Sequence, residues 1–195
     1  MSVISGQKPE IRNPKSNVEK KGYQDVVEIP EGAAVKFSGG RVTAKGKMGE
    51  VARELSHLHV SMKMSGANIT IRTGSDRKKD KALVGTFTAH LRNMLTGVTN
   101  GFEYKMKCVY AHFPIKMSVK GKEFVVENML GENKPRRAQI VGDTKVAIAG
   151  EVVTLTGINL EQVSQTAANI ELMTRIKDRD PRRFQDGIYI VQKGA

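Results

Sequence analysis

The side chains of this sequence that do covalent or metal chemistry elsewhere are few, and none has the neighbours such chemistry needs. The run from Gly39-Gly40 to Gly46-Lys47 comes nearest to a phosphate-binding loop. A Walker-type loop requires Gly-x4-Gly-Lys followed by Ser or Thr, because backbone N–H groups cradle the phosphates and the hydroxyl holds magnesium. From Gly40 to Gly46 the spacing is too long, and Met48 stands in place of the hydroxyl. His57 and His59 share a strand face, but neither has a carboxylate or cysteine at metal-ligand spacing. His90 and His112 read as surface or partly buried histidines. Cys108 is the sole cysteine, which excludes an internal disulfide and a cysteine-based zinc site. Its alternation with Met106 and Tyr110 predicts a buried, inert thiol. Asp178 and Asp180 alternate with Lys177, Arg179 and Arg182, a pattern for salt bridges in a loop and not for acid–base catalysis. No catalytic residue, metal ligand or cofactor site is predicted.

Charge is the informative quantity. Lys and Arg number 32 against 20 Asp and Glu, a formal net charge of +12. A field of that sign attracts polyanions, nucleic acid first and an anionic membrane second. No stretch is apolar over the roughly 18 residues that a spanning helix needs, so a membrane is not expected as partner. Lys8, Arg12, Lys15, Lys20 and Lys21 accompany Pro9 and Pro14 without an apolar segment, so residues 1–22 read as a flexible basic arm and not as a secretory signal. Three clusters follow: Arg77-Lys78-Lys79, Lys134-Pro135-Arg136-Arg137, and the run from Arg175 to Gly187. Any one cluster is compatible with a merely solvated face. The last differs in kind, because Arg175, Lys177, Arg179, Arg182 and Arg183 surround Pro181 and Phe184 in a loop too charged for a core. Guanidinium forks grip phosphates, an aromatic ring stacks on a base or pins the loop, and proline lowers the entropy cost of presenting them.

The elements that must carry these loops follow from turn residues and periodicity. Val26, Val27 and Ile29 lead into a turn at Pro30-Glu31-Gly32; Ala34–Phe37 and Arg41–Ala44 form a hairpin about Ser38-Gly39-Gly40. Strands are expected at Leu58–Met64 and Asn68–Arg72, about Ser65-Gly66. A helix is expected from near Lys81, with Leu83, Phe87, Leu91 and Met94/Leu95 on one face and Gly97 as its stop. The second half opens on a long alternating strand at Phe102–Tyr110, continues through Met117–Lys120 and Glu123–Val126, and reaches Val146–Ile148 and Val152–Leu155 about Gly150. Asn159 then caps a helix, with Gln162 completing a capping box and Leu160, Val163, Ala167 and Ile170 as the buried stripe.

Both halves therefore run in one order. Each has Xaa-Pro before a hairpin (Ile29-Pro30, Phe113-Pro114), then Gly-Glu (Gly49-Glu50, Gly131-Glu132), then two strands and a helix. The expected fold is α+β: two tandem similar domains, each a small, mainly antiparallel β-sheet with one packed helix. The expected division is an arm at 1–22, a first domain at 23–100 and a second at 101–195, meeting at Thr99-Asn100-Gly101.

At several of these residues the sequence resembles a known family. The segments Asn93–Met106, Val109–Pro114, Asn128-Met129-Leu130-Gly131-Glu132, Val163–Ile170 and Arg179–Tyr189 are similar to those of the ribosomal large-subunit protein six family, in its archaeal and eukaryotic form. The likeness extends from Val26 to Val191. It implies two domains of one plan, arisen by duplication, in a non-catalytic component of the large subunit in the cytoplasm. It implies binding to large-subunit rRNA beside the sarcin–ricin loop, near neighbouring ribosomal proteins at the stalk base, with translational GTPases as partners by proximity. The second domain would carry much of the rRNA contact, with the Arg179–Gly187 loop as the segment that meets RNA, supported by the loop at Lys134–Arg137. Together with the charge clusters this gives as expected rRNA-binding residues Arg175, Lys177, Arg179, Arg182, Arg183 and Phe184, then Lys134, Arg136 and Arg137, and on the first domain Arg77, Lys78 and Lys79. A free-standing RNA-binding protein and a nucleotide-using enzyme resting on Gly39–Lys47 are the alternatives.

Overall fold

The structure is a computed structural model that describes residues 22–111, 113–180 and 182–194. The predicted arm, His112 and Pro181 lie outside the described residues, apart from Gly22 at the arm's end.

The first half packs two antiparallel three-stranded sheets against one helix. Strands β1 (Gln24–Glu28), β5 (Val60–Ser65) and β6 (Asn68–Thr73) form a sheet in the order β1-β6-β5; β2 (Ala34–Ser38), β3 (Arg41–Lys45) and β4 (Glu50–Glu54) form a meander. Alternation sets which side faces inward: Val27 lies opposite Ile69, and both are buried with Ile71, while Val26 is exposed. Helix α1 (Lys78–Thr99) closes this core with Val84, Phe87, Leu91, Leu95 and Val98.

The second half repeats the plan and adds to it. Strands β7 (Phe102–Val109), β11 (Lys145–Ala149) and β12 (Val152–Gly157) pair in the order β11-β12-β7, matching β5-β6-β1. Strands β8 (Lys116–Lys120), β9 (Glu123–Glu127) and β10 (Arg136–Gln139) match the first meander. Helix α2 (Leu160–Thr174) packs on them through Val163, Ala167 and Ile170. The addition is β13 (Gly187–Gly194), which pairs with the outer edge of β7. In the first half no strand among the described residues pairs with the corresponding edge, that of β1; there the Val26 N–H donates to the Asp25 carboxylate at 2.9 Å. The expected α+β fold with tandem similar units is thus the observed one.

Four details differ from the sequence reading. Helix α1 begins at Lys78 instead of near Lys81, and it runs through Gly97 to Thr99. Gly97 is there for contact: a Cβ at this position would sit 2.0 Å from the Ile158 carbonyl oxygen. The helix stops one turn further on, where Asn100 and Gly101 both donate to the Thr96 carbonyl and Gly101 takes φ +78°. Arg136 and Arg137 belong to strand β10, opposite Val126 and Val125, and not to a loop. The capping box at α2 does not form. Asn159 accepts from the Glu161 N–H at 3.0 Å, while Gln162 folds away to the Asp143 N–H, over Gly142, where any Cβ would collide with it.

The halves touch at the end of α1, where Gly97 admits the Ile158 carbonyl. The turn between β3 and β4 lies on the end of α1: the Met48 N–H donates to the Val98 carbonyl at 3.0 Å, and a Cβ at Gly46 would stand 2.4 Å from that same oxygen. Beside it, Arg53 of β4 pairs with Glu161 of α2, and His90 of α1 lies 3.7 Å from the same carboxylate oxygen. That proximity alone would raise the His90 pKa. It is lowered instead, by burial first and then by Arg53, which already occupies the carboxylate. A histidine with a depressed folded pKa binds its proton more readily when unfolded. The stability it confers as a neutral ring is present above 6.5 and is lost as pH falls from that value through the lower folded one. We expect the thermal midpoint to drop between about pH 7.5 and about pH 5.5, and His90→Gln to flatten part of that slope. An unchanged slope in the variant would assign the pH dependence to other groups.

Candidate nucleic-acid interface

The cationic run after α2 is held at both ends by buried polar groups. Thr174 continues the stripe of Val163, Ala167 and Ile170, yet it is a polar residue and fully buried. Its hydroxyl donates to the carbonyls of Ile170 and Glu171 and accepts the Ile188 N–H at 3.1 Å. The last turn of α2 is thereby tied to the first residues of β13, and the intervening loop becomes a closed excursion. Asp186, also buried, accepts the Ala111 N–H at 3.2 Å from beyond β7.

Arg136 supplies the third brace. Its Nε and one terminal nitrogen donate to the two oxygens of Glu132 at 2.8 and 2.5 Å. The other terminal nitrogen reaches the carbonyls of Met173 and Arg175, at 2.9 and 3.2 Å. These lie at the C-terminal end of α2, where carbonyls lack partners within the helix. The Arg136 side chain, 23% exposed, therefore holds the loop's first residues to β10. The hydrogen bond from Arg136 pulls the Glu132 carboxyl below its ordinary value, against the opposing effect of burial and with the help of the Arg136 charge.

Within the loop, Asp180 organises backbone. Its carboxylate accepts the Arg182 N–H at 2.9 Å and its carbonyl accepts the N–H groups of Arg183 and Phe184 at 3.1 and 3.0 Å. This Asx-type turn presents Arg182 and Arg183, both exposed, where the sequence suggested salt bridging. Asp178 takes φ +58°, a left-handed conformation that Asp tolerates. The Arg179 guanidinium lies 4.8 Å from the centre of the half-buried Phe184 ring, so the ring helps to shape the loop.

The structure brings together most of the predicted residues. Arg175, Lys177, Arg179, Arg182 and Arg183 share one loop, and Arg136 joins that loop to the Lys134–Arg137 segment. Arg137 is exposed and 3.6 Å from Glu123; Lys134 is exposed. Arg77, Lys78 and Lys79 belong elsewhere. They lie at the start of α1, whose other end meets the second half, and 22 helical residues span about 33 Å. Sequence reasoning missed Thr174, Asp186 and Glu132; the one available signal was a polar residue at stripe spacing in α2.

The other candidate chemistries fare poorly. Gly39 and Gly40 form the β2–β3 turn, and Gly46 to Gly49 the β3–β4 turn, so no strand feeds a helix through a phosphate loop. Burial, then Glu151 and Asp186, push the Cys108 thiol up to about 11, which keeps it protonated and unreactive. Among the described residues, no three His, Cys, Asp or Glu side chains cluster to hold a metal ion, and no helix is long and apolar enough to cross a membrane.

Comparison with known proteins agrees with this geometry. The family described as Ribosomal protein L6 matches twice along the chain, at residues 29–101 and 113–187, one match per half. The large ribosomal subunit protein uL6 of Methanocella arvoryzae is 52% identical over 168 residues, covering 86% of this chain and 95% of its own. Those of Methanobrevibacter smithii and Archaeoglobus fulgidus are 49% and 48% identical, covering 87% and 86% of this chain and 96% and 88% of their own. With the doubled fold, the braced cationic loop and these relatives in agreement, the chain belongs to the ribosomal protein L6 family.

Proposed function

We propose that the protein is a structural, non-catalytic component of the cytoplasmic large ribosomal subunit that binds large-subunit rRNA through the Arg175–Gly187 loop. The observation that carries this reading is the bracing of that loop. Thr174, Asp186 and Arg136 hold it at three places, so its cations are carried on a backbone braced at both ends. Preorganisation lowers the cost of ordering long side chains on binding. Lys134 and Arg137 extend the surface, and Arg77, Lys78 and Lys79 form a separate contact on the first half. The family resemblance supports a position beside the sarcin–ricin loop at the stalk base, near other ribosomal proteins and within reach of translational GTPases. Recognition proceeds by phosphate position and RNA shape.

The test is binding of the full chain to an rRNA fragment containing the sarcin–ricin stem, against a fragment of equal length from elsewhere, over a range of salt. We expect preference for the first fragment and a steep salt dependence. Replacing Arg182 and Arg183 together by Ala should weaken binding about tenfold and flatten the salt slope by roughly 0.7–0.9 for each phosphate no longer neutralised. Equal affinity and slope in the double variant would take this loop out of the interface.

A further inference from the structure

Beside the cationic surface of the loop lies a cleft of different chemistry. It runs between the last turn of α2, the loop and β13, and encloses about 460 Å3. That is within the range of about 300–1,000 Å3 common to small-ligand sites. Leu172, Ile176, Phe184 and Tyr189 line it together with Arg175 and Arg179, with the Glu171 carboxylate and Thr174 at the helix side. Leu172 and Tyr189 are 62% and 43% exposed, so the cleft offers an aliphatic and an aromatic side chain side by side to an occupant.

Both rings are held in place by the protein itself. The Tyr189 hydroxyl donates to the Gln185 carbonyl at 3.2 Å, folding the ring back over Gly187. A Cβ at Gly187 would lie 3.2 Å from that ring, so glycine provides the close approach the ring needs. Phe184 is held by the Arg179 guanidinium. Rigid aromatic walls, an aliphatic side and two guanidinium groups suit an occupant that is planar, apolar on its faces and attached to anions. The two guanidinium groups outnumber the one carboxylate, Glu171, so the cleft disfavours a lysine or quaternary ammonium, and an aliphatic chain would make no use of that excess positive charge.

We propose that this cleft takes one unstacked nucleobase of rRNA, sandwiched at Tyr189 and Phe184, with its flanking phosphates on Arg175 and Arg179. The inference rests on the rRNA-binding reading above and adds a base-reading subsite to a surface otherwise concerned with phosphate. A base inside a duplex presents only its edges, so the nucleotide must come from a bulge, a loop or a strand end.

The experiment compares two probes on the full chain at one ionic strength: a short oligoadenylate, and a strand of equal length whose sugars carry no bases. The native protein should bind oligoadenylate more tightly, since stacking on an aromatic side chain is sequence-tolerant. Tyr189→Ala should lower oligoadenylate affinity about tenfold, towards that of the abasic strand, with the salt slope unchanged. Tyr189→Phe should retain most of the preference. Leu172→Ser, at a surface position that folding tolerates, should reduce the preference in the same direction and guards against misfolding of the Tyr189→Ala variant. If the native protein binds both strands equally, or if Tyr189→Ala and Leu172→Ser leave the preference intact, the subsite is wrong while the phosphate reading stands. If neither strand nor the rRNA fragment binds, both readings fall together.

Discussion

Gly97→Ala is expected to lower the thermal midpoint by up to about 8 °C, whereas Gly85→Ala in the same helix should raise it by roughly 2–4 °C. In an ideal helix the two changes would be equal, each replacing the most flexible residue by the best helix former for a gain of about 1 kcal/mol. The surroundings reverse the sign at one of them. Gly85 is exposed, and a Cβ there meets nothing within 4 Å. At Gly97 the added carbon would lie 2.0 Å from the Ile158 carbonyl oxygen and 3.0 Å from the Phe102 ring. Neither is the flexible end of a side chain, so one backbone must move. Overpacking of that kind costs about 1–3 kcal/mol, and more where backbone resists. The displaced residue immediately precedes Asn159, the cap of α2, so the strain passes from the first half into the second. Thermal melts of the two variants side by side decide the matter. Stabilisation of similar size at both positions would mean that Gly97 acts through helix propensity alone and not through contact between the halves.

What the sequence made legible, and what it hid, divides along a physical line. Strand β7 was readable because its burial alternates cleanly from Phe102 to Cys108, and the stripes of both helices were readable for the same reason. Strand β4 was not, because Glu50, Arg53 and Glu54 give it no contrast between faces, and the same holds for Arg136 and Arg137 in β10. Strand β13 buries Gly187 and Ile188 and then breaks its register between Ile190 and Gln192, which destroys the period of two. Gly97 looked like a helix stop because sequence registers the missing side chain but not the carbonyl that occupies its space. The cationic loop was visible from composition alone, whereas its bracing depends on Thr174, Asp186 and Arg136 meeting residues far along the chain. Local pattern carries no trace of such meetings.

The same limit separates Arg136 from the cations around it, and a substitution can show the separation. Arg136→Ala should cost about 2 kcal/mol of stability and weaken rRNA binding about tenfold, yet leave the salt slope of binding as it was. The stability loss arises because the carbonyls of Met173 and Arg175 lose a charged donor, and because Glu132 loses the partner that bonds both its oxygens. The binding loss follows because the loop's first residues come free of β10, so ordering them again is charged against association. A residue that touches phosphate releases counterions when it binds, and its removal lowers the slope; one that only holds a loop does not. The contrast with the Arg182 and Arg183 double variant is therefore qualitative. Acid offers a second check. Because the Glu132 carboxyl is held below its ordinary 4.5, the stability it contributes is present above that value and disappears as pH falls through the lower folded one. The stability gap between the native protein and Arg136→Ala should thus narrow at acid pH to the part carried by the Met173 and Arg175 carbonyls, and Arg136→Lys, which keeps the charge but loses the fork, should fall between them. A slope reduced by about one in Arg136→Ala would instead make this arginine a phosphate contact in its own right.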